Sequence, residues 1–171
     1  VFFTSLKVAA ILAIVVLAFA FGHGDISHFT QSAVSFSHGA SPVFLAFIVA
    51  MAGAFWSYDG WINITYVAGE IKNPQKNLPR AMVIATLTFI SVYLLINLAY
   101  FYIIPAKVMG AKYLAAESSG QSYLVATDVA SSFLGSWGGG LIAIAIMIST
   151  FGTVNGTLMM SARVYYAMAR D

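Results

Sequence analysis

The sequence predicts an all-α integral membrane protein with four spans, the second of them interrupted. Three observations predict it. Of 171 residues, 60% are hydrophobic and only 8% charged, against about a quarter charged in an ordinary soluble domain. Apolar stretches recur at or beyond the roughly 20 residues a helix needs to cross the hydrocarbon core. The 8 Lys+Arg and 6 Asp+Glu fall mainly outside those stretches. Too few charges remain to wet a soluble enzyme of this size. The absence of cysteine excludes a disulfide scaffold and a thiolate metal site. A dispersed net charge of +2 argues against a nucleic-acid partner.

The first span covers residues 2–21, with Lys7 its only charge. The loop 22–41 carries three His and no Lys or Arg. The second stretch, 42–71, is too long for one straight span. A loop at 72–80 leads to the third span, 81–104, which Pro79 and Pro105 flank. Residues 105–140 are mixed polar and are expected to hold one or two short surface helices. The fourth span is 141–169. Lys72, Lys76, Arg80, Arg163 and Arg170 lie on one side against Lys107 and Lys112 on the other, which makes the 72–80 loop cytoplasmic and 22–41 and 105–140 outer. Val1 is not an initiator and residues 169–171 end just past the last helix, so the chain reads as an internal piece of a larger membrane protein, the alternative being a complete four-helix protein that has lost its Met.

The interruption falls at Ser57-Tyr58-Asp59-Gly60. Unwound backbone at membrane depth is tolerated only where protein or a water-filled cavity satisfies its N–H and C=O groups. Gly60 permits unusual dihedrals, and Ser57 and Asp59 can bond locally to backbone. The N-terminal end of a half-helix suits a carboxylate, and the carbonyls of the other half suit an ammonium group. Such a break reads a zwitterion by main chain alone, and Trp56 and Tyr58 are placed to close over it. The other reading is a plain kink with Asp59 near the interface. Asp59 itself is either a counter-ion for a cation or proton or the cap of the second half-helix.

The strings Tyr58-Asp59-Gly60-Trp61, Gly69-Glu70-Ile71-Lys72-Asn73-Pro74 and Asn77-Leu78-Pro79-Arg80-Ala81, with Ser149 to Gly156 and Ser161-Ala162-Arg163 about 80 residues later, resemble the amino acid–polyamine–organocation transporter superfamily. The match is similar to its L-type amino acid transporter branch, nearer the bacterial serine/threonine-exchanger-like members. The resemblance covers essentially the whole chain, as helices five to eight of twelve. It implies a leucine-transporter-type inverted-repeat fold, with the break in helix six and its symmetry partner, broken helix one, outside this sequence. It implies an aromatic gate at Trp56, and substrate-binding main chain at Ser57, Tyr58, Asp59 and Gly60. Lys7 falls on a helix-five lysine that stands in for a sodium ion. The resemblance therefore implies a sodium-independent transporter in a cell membrane, that of a bacterial inner membrane. Ile62 stands where animal members commonly carry Asn, which puts their larger substrates in doubt.

Read physically, Lys7 either snorkels to the interface or is held by the fourth span, where Ser149, Thr153, Thr157 and Ser161 recur every fourth residue. An ammonium has three donors to satisfy, and Ser149 and Thr153 are the expected partners. Gly152 and Gly156 form a small-xxx-small pair for close packing. Asn155 either lines the pathway or bonds across helices. Tyr93, Asn97 and Tyr100 read as an interhelical polar seam. Glu70, Lys72 and Lys76 read as a cytoplasmic loop network or a solvated loop. His23, His28 and His38 are spaced irregularly and read as an ordinary loop, with no metal and no cofactor expected.

These readings converge on an exchanger of small neutral L-amino acids that works by alternating access and is not an enzyme. Its expected partners are an amino acid, the lipid bilayer and the remaining helices of the full-length protein. The alternatives are a cationic amino acid or polyamine carrier using Asp59, and a channel or structural membrane subunit.

Overall fold

The computed structural model describes residues 2–31 and 40–170. These are helical, with no strand among them: α1 (Phe2–Phe21), a 3₁₀ turn (Ile26–Thr30), α2 (Ala40–Ser57), a 3₁₀ segment (Trp61–Glu70), α3 (Pro74–Ile103), α4 (Ala106–Ser118), α5 (Val125–Leu134) and α6 (Trp137–Arg170). Phe2–Phe21, Pro74–Ile103 and Trp137–Tyr166 are long and apolar enough to cross a membrane, whereas Val43–Ser57 is apolar but shorter. His38 lies outside the described residues.

Residues 74–80, expected as loop, instead form the first two turns of α3. Asn73 explains the early start. At φ +51° it adopts a conformation Asn tolerates, and its carbonyl accepts from the N–H groups of Lys76 and Asn77 at 3.1 and 3.0 Å. Pro74 then occupies the first helical position, where its fixed φ is already right. Pro79 sits inside the helix, where it removes the donor that would reach the Gln75 carbonyl and sets its ring against that carbonyl.

Two compact units divide the chain, residues 1–34 with 88–154 and residues 35–87 with 155–171. In the first, Val15 and Ala18 of α1 pack with Ile96 and Ala99 of α3. Ala18 and Ala99 are both fully buried, and small side chains there let the two backbones approach closely. Phe19 and Tyr102 stack with ring centroids 5.1 Å apart. The loop beyond α1 caps α3: the Tyr102 carbonyl accepts from the Asp25 N–H at 3.1 Å and from His28 Nδ1 at 2.9 Å. This satisfies one of the carbonyls a helix end leaves over, and it gives His28 a structural partner. The Ser27 N–H bonds Asp25 Oδ1 at 2.7 Å and holds the Asp25 carboxyl below its ordinary range.

The region 105–140 holds α4 and α5, tied by Lys112 Nζ to Asp128 Oδ2 at 2.6 Å and by the Tyr123 hydroxyl, which donates to the same oxygen at 2.8 Å. Partial burial pushes the Asp128 carboxyl up, but the hydrogen bonds from Lys112 and Tyr123 and the Lys112 charge outweigh it, leaving it below its ordinary range. Burial and the bond to Asp128 push the Tyr123 phenol up. A depressed carboxylate contributes stability above its unfolded pKa and loses it as pH falls through the lower folded value. Asp128→Asn should therefore speed amide hydrogen exchange across 106–134 at pH 7 by about 1.4- to fivefold, matching the ~0.2–1 kcal/mol of an exposed pair. The difference from the parent protein should shrink once the pH falls low enough to protonate Asp128 in the fold. An equal difference at both pH values would count against this link.

Candidate functional site

The apolar stretch that begins in α2 is interrupted. Its α-helical ladder runs to Ser57. The Tyr58 N–H then divides between the Ala54 and Phe55 carbonyls, both at 3.2 Å, and the Asp59 N–H reaches Trp56 O at 3.3 Å. Regular bonding resumes only with Asn63 N–H to Gly60 O at 3.1 Å. Between them Gly60 takes φ +94°, ψ −4°, a conformation that a Cβ makes costly. Ser57 Oγ donates back to Gly53 O at 3.1 Å, a bond that loosens a helix end.

Asp59 does not cap the segment Trp61–Glu70. The cap position belongs to Gly60, which supplies no side-chain bond, because the left-handed turn moves the start of that segment one residue on. The segment itself is 3₁₀ rather than the α half-helix expected. Ten residues of 3₁₀ are unusual, and such stretches often mark hinges. Trp56, Ser57, Tyr58 and Asp59 are all exposed, Trp56 at 83%.

In the other unit, Lys7 and the α6 stripe meet. Lys7 Nζ donates to Thr153 Oγ1 at 2.7 Å, and Thr153 Oγ1 donates in turn to the Ser149 carbonyl at 3.0 Å. The hydroxyl proton is thereby committed to Ser149, and the Thr153 lone pairs face the ammonium. Ser149 takes part through its main chain. Gly152 makes the approach possible, since a Cβ there would lie 2.8 Å from Phe3 Cβ. Phe3 and Phe151 meet edge-on, with centroids 5.5 Å apart. At Gly156 an added Cβ would meet no described atom within 4 Å, so among the described residues Gly152 alone of the expected pair is closely packed.

Other expectations are revised. Asn97 Nδ2 bonds Tyr93 O at 2.8 Å within its own helix, and Tyr100 packs beside the α1–α3 core. Glu70 pairs with Arg163 Nη1 of α6 at 2.7 Å, while Asn77 Nδ2 bonds the Lys72 carbonyl at 2.5 Å. Asn155 is exposed. No group of three His, Asp or Glu placed to hold a metal occurs among the described residues. Sequence reading missed Asn63, whose amide nitrogen would lie 3.4 Å from a Cβ at Gly60. It also missed an open cleft of about 410 Å³ that Asn63 lines with Tyr66 and the last turns of α6.

The whole chain, residues 1–171, matches one family model, that of the amino acid permeases. The chain belongs to the amino acid permease family. Within the amino acid–polyamine–organocation superfamily, it is similar to the serine/threonine exchanger SteT of Bacillus subtilis (strain 168), 35% identical over 90% of this chain and 32% of that protein. It is similar also to the mouse b(0,+)-type amino acid transporter 1, 28% identical over 99% of this chain and 32% of the relative. The mouse large neutral amino acids transporter small subunit 2 is 36% identical over 72% of this chain and 22% of its own length. The chain thus spans about a third of the first two relatives. All three carry the names of exchangers or transporters, not enzymes. No solved structure matches this permease chain.

Proposed function

We propose that this permease chain is part of a sodium-independent exchanger that moves small neutral L-amino acids across a cell membrane by alternating access. The observation that carries the reading is the interruption at Tyr58-Asp59-Gly60, halfway along an apolar stretch. Main-chain groups at such a break suit the two charges of an amino acid, the N-terminal end of the Trp61–Glu70 segment facing the carboxylate. Trp56, Ser57, Tyr58, Asp59 and Gly60 would hold the substrate, and Asn155 would line the route. Lys7, Thr153 and the Ser149 carbonyl would take the place of a coupling ion between α1 and α6. The remaining helices of the full-length protein complete the pocket in a leucine-transporter-type fold that crosses a bacterial inner membrane several times. The names of the relatives support amino acid transport.

The test uses the full-length protein in proteoliposomes. Serine uptake should saturate, rise when the lumen holds unlabelled serine, and persist when choline replaces sodium. Arginine should compete poorly. Uptake linear in serine with no stimulation from the far side would reject the exchanger, and strong competition by arginine, lost in Asp59→Asn, would favour a cationic substrate.

A further inference from the structure

The cleft behind the break is walled by Asn63 and Tyr66 on the 3₁₀ segment and by Thr157, Met160, Ser161, Val164, Tyr165 and Met168 on α6. Its volume, about 410 Å³, lies within the roughly 300–1,000 Å³ typical of small-molecule sites. The lining is mixed. Asn63, Thr157 and Ser161 contribute an amide and two hydroxyls to the lining. Val164, Tyr165 and Met168 lie further along α6, and none of the eight lining side chains is charged at neutral pH. Asn63 belongs to both places: it lines the cleft and its amide nitrogen lies against Gly60. Asn63 thus joins the cleft to the turn. The Glu70–Arg163 pair fastens the two walls together, Arg163 lying on α6 between Ser161 and Val164.

We infer that this cleft is a second solute site beside the turn, taking neutral amino acids with apolar side chains. The polar end of the solute bonds Asn63, Thr157 and Ser161, and its side chain lies against Tyr66, Val164, Tyr165 and Met168. The absence of any charged lining group disfavours arginine and lysine, whose side-chain charge would be desolvated without a partner. That the solute is a neutral amino acid rests on the exchanger reading and its apolar side chain on the cleft lining, but binding in the cleft is measurable without transport.

The experiment uses the full-length protein with Ser161→Cys, cysteine being absent from this chain and replaced wherever it occurs outside it. Alkylation by N-ethylmaleimide is timed with leucine or arginine present. Leucine at ten times its half-protecting concentration should slow alkylation about tenfold, and arginine at that concentration should have little effect. Adding Tyr165→Ala, about two turns along α6 from Thr157, should raise the half-protecting leucine concentration about tenfold by removing the apolar wall. An alkylation rate indifferent to leucine would overturn the inference. So would protection unchanged by Tyr165→Ala, which would place the leucine elsewhere. Protection by leucine in a protein that shows no counterflow would keep the site and reject the exchanger.

Discussion

Thr153→Val should lower the exchange rate of the full-length transporter about tenfold or more, and Thr153→Ser should restore most of it. The valine keeps the shape but removes the oxygen that accepts from Lys7 Nζ at 2.7 Å. A hydrogen bond to a charged group contributes about 1.5–3 kcal/mol, and each 1.4 kcal/mol is about tenfold. An ammonium inside a span is expensive when it loses its partner. Phe3 packs over Gly152 beside the pair, so α1 and α6 stay close at that level. Lys7→Met combined with Thr153→Val should then be less damaging to thermal stability than Thr153→Val alone, since the stranded charge is gone. Exchange should stay low in the double variant if Lys7 links the two helices during the transport cycle. Wild-type exchange in Thr153→Val would reject this role for the pair.

Much of this arrangement was legible because long-range polar matching in an apolar chain has few solutions. One lysine in the first span and a hydroxyl stripe in the last leave little choice of partner, and Thr153 is the side chain that Lys7 reaches. The break was legible for a related reason: Ser-Tyr-Asp-Gly interrupts an apolar stretch too long for one span. The conformation beyond the break was less legible. Composition does not distinguish 3₁₀ from α-helix over Trp61–Glu70, and the choice of Gly60 over Asp59 as cap depends on a positive φ that residue type only permits. The start of α3 was written in Asn73-Pro74, a cap and then a first-turn proline, but Pro79 masks the signal by resembling a boundary. The cleft was hidden because its lining combines a 3₁₀ spacing, Asn63 and Tyr66, with an α-helical spacing on a distant segment. Neither half stands out alone.

Substitutions at Gly60 should reduce exchange in the order Asn, then Ala, then Val, the last to background, with each variant still inserted at normal abundance. The order reflects backbone conformation rather than size. At φ +94° every L side chain is strained, by about 1–2 kcal/mol for ordinary residues in left-handed conformations. Asn is the most tolerant of the three, and a β-branched residue is the least. Space alone would predict something different, because Asn is larger than Ala and an added Cβ already sits 3.4 Å from Asn63 Nδ2. To relieve the strain, valine must rotate the turn, which pulls Gly60 O away from the Asn63 N–H that restarts regular bonding. The interrupted stretch then either straightens or collapses, and in both cases the main-chain groups of the proposed site lose their common orientation. Serine counterflow and detergent-extracted yield, measured together, separate the outcomes. If losses instead track side-chain volume, with Asn worse than Ala, the turn is crowded rather than bent and its main chain is not the substrate's ligand.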